Sequence, residues 1–211
     1  MEPELILFDF SGTLAFLKKQ PDPERFFSFL RSLGIEIGTE KEKEVFISTF
    51  TNLLGEAKNW LDFGQQLLEE FPLKPERKQI RALADFLKEN IVFQLYEDVK
   101  EIIKLPLKKA ILSANARFLI EGLGLEGFAK IFTPKETKFL KPDPRAFLLV
   151  LSTLKVKPEN AMMVGDEIER DLIPAKKLGM EAVLIDRENK IKNPPFSKIS
   201  SLSELKKILI Y

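Results

Sequence analysis

Three stretches of this chain end an apolar run on a group that can do chemistry. Leu5-Ile6-Leu7-Phe8 leads into Asp9, with Ser11-Gly12-Thr13 close behind; Ile111-Leu112 leads into Ser113-Ala114-Asn115; Met162-Met163-Val164-Gly165 leads into Asp166. A strand-terminal Asp often folds back onto its own turn, and Ser or Asn after a strand often caps the next helix. The other reading puts these groups at the carboxyl edge of a parallel sheet, where ligands bind. There a hydroxyl and neighbouring amides would donate to an anion. The third stretch breaks the tie. Asp166, Glu167, Glu169 and Asp171 put four carboxylates within six residues, whereas one or two are ordinary partners of a helix macrodipole. Such crowding calls for a cation. Mg²⁺, which takes oxygens from one or two carboxylates plus water and phosphate, suits the set. A phosphate there would also want a protein cation. Of Lys135, Lys138 and Lys141, the last is best placed: it precedes a marked helix start, and Pro142 restricts its backbone.

Elements able to position these groups can be read from periodicity. Short apolar runs at 5–9, 109–113, 161–165 and 181–186 predict buried strands, with Ile131-Phe132-Thr133 a fifth. Helical patterns lie between and after them at 97–104, 116–123, 144–154, 171–178 and 202–209. Strands alternating with helices predict an α/β fold, a Rossmann-like parallel sheet with helices on both faces. Asp143-Pro144 supplies an N-cap followed by Pro at the first helical position. Gly179 after Lys176-Lys177-Leu178 marks a helix end, and Ser203 with Glu204 is expected to open the last helix. Residues 16–94 differ, with helices near 22–33, 41–54, 57–70 and 75–93 and no convincing strand. Phe26, Phe29, Leu30 and Leu33 form one stripe and Phe46, Phe50, Leu53 and Leu54 another, as in core seams of a small helix bundle. The expected organisation is therefore a core of 1–15 and 95–211 with a helical cap at 16–94.

Composition narrows the chemistry. The 211 residues include neither His nor Cys, which removes Ser-His and Cys-His catalysis, disulfides and thiolate metal sites. Thirty-three basic residues balance 32 acidic ones, without the basic footprint of a nucleic-acid binder. No run approaches the roughly 20 apolar residues of a membrane span, and no basic leader precedes the first apolar run. A cytoplasmic protein is expected, with no membrane and no nucleic-acid partner.

Asp9 with Gly12-Thr13-Leu14, then Ser113, then Lys141-Pro142-Asp143-Pro144, then Gly165-Asp166 with Asp171, resemble in order the four motifs of the haloacid dehalogenase superfamily. Within it the chain resembles the phosphoglycolate phosphatase and β-phosphoglucomutase type, with a helical cap inserted after the first motif. The likeness extends to Ala175-Lys176-Lys177-Leu178-Gly179-Met180. It implies a Mg²⁺-dependent phosphatase of a small phosphorylated metabolite. Asp9 would attack phosphorus and carry an aspartyl-phosphate. Mg²⁺ would be held by Asp9, the carbonyl of Ser11 and Asp166, supported by Glu167 or Asp171. Gly12, Thr13, Ser113, Ala114 and Lys141 would bind the phosphoryl oxygens. Cap closure would exclude water. Phe16, Leu17, Trp60 and Phe63 are expected either at the cleft or, for the aromatics, in buried packing.

One departure matters. Family phosphatases carry a second Asp two residues after the nucleophile, as acid for the leaving oxygen and then base for water. Here that residue is Ser11, a poor acid or base near neutral pH. General acid–base catalysis is worth roughly 10²–10⁴-fold, so slow turnover, or a substrate whose leaving group needs little protonation, is expected. Related phosphonatases carry Ala there and use a cap lysine, for which Lys18 or Lys19 is available. A degenerate member that binds a phosphorylated ligand or partner without turnover would keep the same Asp9, Lys141 and Asp166. A dehalogenase is disfavoured, because those relatives lack the acidic cluster around Asp166.

Overall fold

The structure, a computed structural model, describes residues 2–71 and 74–209, with the side chain of Leu54 outside the described set. In chain order, β1 (Leu5–Phe8) and β2 (Ala15–Lys19) precede the helices α1 (Pro23–Ser32), α2 (Glu40–Leu54), α3 (Trp60–Glu69) and α4 (Arg77–Asn90). Next come β3 (Val92–Leu95), α5 (Val99–Ile103), β4 (Lys108–Leu112), α6 (Arg117–Ile120), β5 (Lys130–Phe132), α7 (Pro134–Thr137) and α8 (Pro144–Leu154). Then follow β6 (Ala161–Gly165), α9 (Ile173–Lys177), β7 (Glu181–Ile185), β8 (Ser197–Ile199) and α10 (Leu205–Leu209). The chain divides into two compact units, Met1–Phe16 with Leu95–Tyr211, and Leu17–Gln94.

The first unit is an α/β Rossmann-like fold. Its strands form a parallel sheet in the order β5-β4-β1-β6-β7-β8 among the described residues. Leu5, Ile6, Leu7 and Phe8 of β1 are fully buried. An uninterrupted apolar run is what a strand covered on both faces requires. The core on one face joins Leu5, Leu7, Ala110 and Met163 to Phe147 and Val150 of α8 and Leu172. The α8 start follows the sequence signal: the Asp143 carboxylate accepts the Arg145 amide, and Pro144 opens the helix.

Three expectations need correction. Residues 16–94 were expected to hold no strand, yet β2 enters this stretch and β3 ends it with one added residue, the two pairing as a two-stranded sheet. The apolar start of β2 runs into Lys18 and Lys19, and Val92-Phe93 of β3 was read as the end of the helix expected over 75–93. The final helix is capped by Ser201, not Ser203. The Ser201 hydroxyl accepts the Ser203 amide, while Glu204 accepts the amides of Ser200 and Ser201; a 3₁₀ turn at Leu202–Glu204 then leads into α10. The helix expected over 171–178 begins earlier, as a π-helical turn at Ile168–Leu172 that runs into α9. The edge strand β8, short and polar after Pro194-Pro195, was unforeseen.

The second unit packs its helices on aromatic rings. Phe26 meets Phe46 and Phe50 at ring-centroid distances of 5.8 and 5.9 Å, and Phe29 stacks on Phe86 at 4.1 Å. Phe63 is fully buried, edge-on to Phe50 at 4.8 Å and to Trp60 at 6.0 Å. Caps fix the helix starts: Asp22 before Pro23, a Thr39–Glu42 capping box, and Asn59 on the Asp62 amide. Among the described residues no helix is long and apolar enough to cross a membrane.

Candidate active site

Sheet order fixes where chemistry can gather. From β1 the chain moves to β4 and β5 on one side, then crosses to β6, β7 and β8 on the other. The order therefore reverses between β1 and β6, and a crevice opens at their carboxyl ends. Phe8 pairs with Val164, and the Asp9 amide donates to the Val164 carbonyl at 2.9 Å. Asp9 and Asp166 consequently emerge side by side on that edge.

Asp9, Asp166 and Asp171 offer carboxylate oxygens within 4.8 Å of one another. The Lys141 ammonium enters this group, donating to Asp9 Oδ1 at 2.5 Å and to Asp171 Oδ1 at 2.6 Å. Asp9, Lys141 and Asp171 are all buried. Desolvation alone would lower the lysine's pKa, but the charges of Asp9 and Asp171 outweigh it and hold the amine protonated. Burial, then the charges of Asp9 and Asp171, push the Asp166 carboxyl up to about 7. For Asp171 burial again leads, opposed by Lys141, and the result is about 6. One cation thus pairs with two of the three acids, Asp9 and Asp171.

Two glycines make the crowding possible. A Cβ on Gly12, whose φ is +82°, would lie 2.2 Å from Asp166 Oδ2. A Cβ on Gly165 would lie 2.3 Å from Asp171 Oδ2 and 2.6 Å from Asp171 Cβ and Cγ. The π-helical turn carries Asp171 back over Gly165, and its Oδ2 accepts the Glu167 amide at 3.3 Å. Gly165→Ala is therefore expected to push Asp171 off Lys141 and to destabilise the fold by about 1–3 kcal/mol. Thermal melts of the variant check this, and an unchanged melt would contradict it.

The remaining predicted residues fall in different places. Ser11 is exposed in the turn after β1. Thr13 is fully buried, and its hydroxyl donates to Asp166 Oδ1 at 3.3 Å. Ser113 is buried at the end of β4; its Oγ accepts the Asn115 amide at 3.0 Å, which leaves the hydroxyl proton to be donated elsewhere. Ala114 is half-buried beside it. Glu167 is exposed and pairs with Arg170 at 3.2 Å, outside the three-acid group. Lys135 and Lys138 are exposed. The Lys19 amine is taken by the Glu89 carbonyl at 2.6 Å, and Lys18 is exposed. Of the basic residues weighed in the sequence, Lys141 alone joins the acids.

Sequence reasoning missed Tyr96, Asp98 and Arg187. Arg187 follows β7, stacks 3.5 Å from the Tyr96 ring centroid, and binds Asp98 through both terminal nitrogens at 2.9 and 3.2 Å. Gly12, Tyr96, Asp166 and Arg187 share the wall of one cavity of about 220 Å³. No local pattern could have found them: an Asp and an Arg 89 positions apart carry no spacing signal among 33 basic residues.

The donor set fits a divalent cation. Three carboxylates converge, only hard oxygen ligands are offered, and among the described residues no cation contacts Asp166. An oxygen-only cluster with surplus negative charge suits Mg²⁺ rather than a softer metal.

Residues 3–179 match the family model for haloacid dehalogenase-like hydrolases. The chain belongs to that family. A phosphoserine phosphatase of Thermus thermophilus is 30% identical over 155 residues, covering 69% of this chain. The chain spans 62% of that relative's length. The crystal structure of a haloacid dehalogenase-family phosphatase from Thermococcus onnurineus superposes with a TM-score of 0.67, 26% identity and 98% coverage of both chains. A 2-haloacid dehalogenase from Pseudomonas syringae superposes with a TM-score of 0.69 at 22% identity over 98% of each chain, a likeness of fold alone. The family fold thus hosts both phosphate and halide chemistry, and the side chains at the sheet edge must separate them.

Proposed function

We propose that this chain is a Mg²⁺-dependent phosphatase of a small phosphorylated metabolite, working through an aspartyl-phosphate on Asp9. The observation that carries the reading is the buried Lys141 bridging Asp9 and Asp171 beside Asp166. Such a group supplies a carboxylate nucleophile, a fixed positive charge and a surplus of acid in one place. The phosphatase names of the sequence relative and of the Thermococcus structure support it.

In this mechanism an Asp9 oxygen attacks phosphorus while the bond to the leaving oxygen breaks, and that oxygen takes its proton from solvent water. Lys141 and the Ser113 hydroxyl, with the Gly12, Thr13 and Ala114 backbone nearby, would hold the phosphoryl oxygens, and Lys141 would offset their charge. Asp9, the Ser11 carbonyl and Asp166, supported by Asp171, would hold Mg²⁺, which supplies charge neutralisation between nucleophile and phosphate. Glu167, facing Arg170 at the surface, is the weaker support. Water then attacks the phosphorus of the aspartyl-phosphate, its proton is lost, and Asp9 is released. Ser11 offers a hydrogen bond to the leaving oxygen but no proton reservoir, which makes both steps slow. A charged phosphate ester is costly to move through apolar surroundings, so a cytoplasmic location belongs to the proposal.

The exposed Ser11 hydroxyl also favours a second reading, a protein that binds a phosphorylated ligand without turning it over. Hydrolysis of p-nitrophenyl phosphate with Mg²⁺, lost on adding EDTA, separates the two. Ser11→Asp is expected to raise turnover at least about tenfold, inside the general acid–base range. Absence of hydrolysis in both the wild type and Ser11→Asp would leave the binding reading in its place.

A further inference from the structure

We propose that Arg187 is a positioning residue that holds the Gly12-Thr13 turn against Asp166; its bearing on catalysis rests on the phosphatase reading above. Arg187 Nη2 donates to the Thr13 carbonyl at 2.6 Å, while the hydroxyl of the same threonine donates to Asp166. The turn is thus gripped from both sides, by the arginine at the main chain and by the aspartate at the side chain. Next to it, the Leu14 carbonyl accepts the Tyr96 amide at 3.0 Å, and Tyr96 is the ring on which the guanidinium lies.

Asp98 anchors the arginine. Its carboxylate accepts Arg187 Nη1 and Nη2, the Ser201 hydroxyl at 2.7 Å and the Leu202 amide at 2.9 Å. Burial alone would raise the Asp98 pKa, but Arg187, Ser201 and Leu202 together bring it below the usual carboxylate range. The fork is not arranged for stability alone: Arg187 Nε is buried with no acceptor, an arrangement that costs free energy. The guanidinium is turned so that Nη2 reaches Thr13, and Nε is left without a partner. Gly12 explains why the turn must be held closely. There is no spare room between it and Asp166, as the 2.2 Å approach of a Cβ shows. A turn that drifts carries the Thr13 hydroxyl, and with it the Asp166 carboxylate, out of place beside Asp9.

Arg187→Lys keeps the charge but cannot bridge Asp98 and Thr13 in the same way. Its kcat on p-nitrophenyl phosphate with Mg²⁺ is expected to fall roughly 10–100-fold with KM within about twofold, because misplacement acts on the transition state more than on binding. The second readout needs no turnover. The Leu14 and Ala15 amides both donate to the Phe10 carbonyl, at 2.9 and 2.8 Å. Hydrogen exchange at these amides is expected to quicken at least about tenfold in Arg187→Lys, with the β6 amides unchanged. Asp98→Asn, which leaves the arginine but loosens its anchor, gives the same pattern in smaller measure. Arg117→Lys is the control. Arg117 likewise joins a carboxylate, Glu136, to a backbone carbonyl, that of Ile131, at 2.6 Å but stands apart from the turn. Unchanged Leu14 and Ala15 exchange in Arg187→Lys, or an equal rise in Arg117→Lys, would overturn the proposal. Absence of hydrolysis in both the wild type and Ser11→Asp would sink the phosphatase reading instead, and the exchange measurements alone would still decide the role of Arg187.

Discussion

Asp9→Asn is expected to lose at least about 10⁴-fold in kcat, the scale seen when a nucleophile is removed from a preorganised site. The amide keeps the shape and one hydrogen-bonding oxygen but is no longer an anion that can attack phosphorus. Lys141 keeps its bond to Asp171 Oδ1, so the fold is expected to survive. The stronger measurement is direct. Acid quenching of wild type with substrate should trap a phosphoryl group on the peptide that contains Asp9, and slow second-step chemistry at Ser11 should let it accumulate. Asp9→Asn should carry none. A variant retaining more than about one hundredth of wild-type turnover would remove Asp9 from the nucleophile's role.

Lys141→Met is expected to cost both activity and stability. Lys141 and Asp171 are almost completely covered, with side chains 4% and 1% exposed, so the lysine is no surface charge. Removing one member of a buried pair leaves the other uncompensated, at about 3–5 kcal/mol. For a chain of this length that lowers the melting temperature by roughly 6–20 °C, measured in EDTA. Lys141 pairs with both Asp9 and Asp171, so adding Asp171→Asn to Lys141→Met removes one of the two stranded charges and should recover part of the stability while activity stays absent. A Lys141→Met protein that melts within about 2 °C of wild type would show that the charge is not held as described.

The contrast between Asp171 and Glu167 shows where sequence reading reaches its end. Both belong to the acidic run, and both were candidates to support a metal. The π-helical turn sends Asp171 over Gly165 into the interior and leaves Glu167 at the surface beside Arg170. A local change of helical pitch decides this, and no residue type announces it. Thr13 makes a similar case. It was expected among phosphate ligands, and its fold position turns its hydroxyl onto Asp166, which leaves its backbone for that role. The strands β2, β3 and β8 were missed because each is short and flanked by polar residues or a helix, so only strand pairing marks it.

By itself the sequence determined the alternation of buried strands and helices, the polar groups at three strand ends, and Lys141 as the cation to watch. Each of these is written in neighbouring residues, through hydrophobic periodicity, capping chemistry and like-charge crowding. Only the tertiary structure decided which acids share one lysine, and that Arg187, anchored by Asp98, reaches the Gly12-Thr13 turn. Those contacts join residues 89 to 174 positions apart, brought together by the crossover that sets β6 and β7 on one side of β1. Distance along a chain carries no information about such meetings until the sheet order is known.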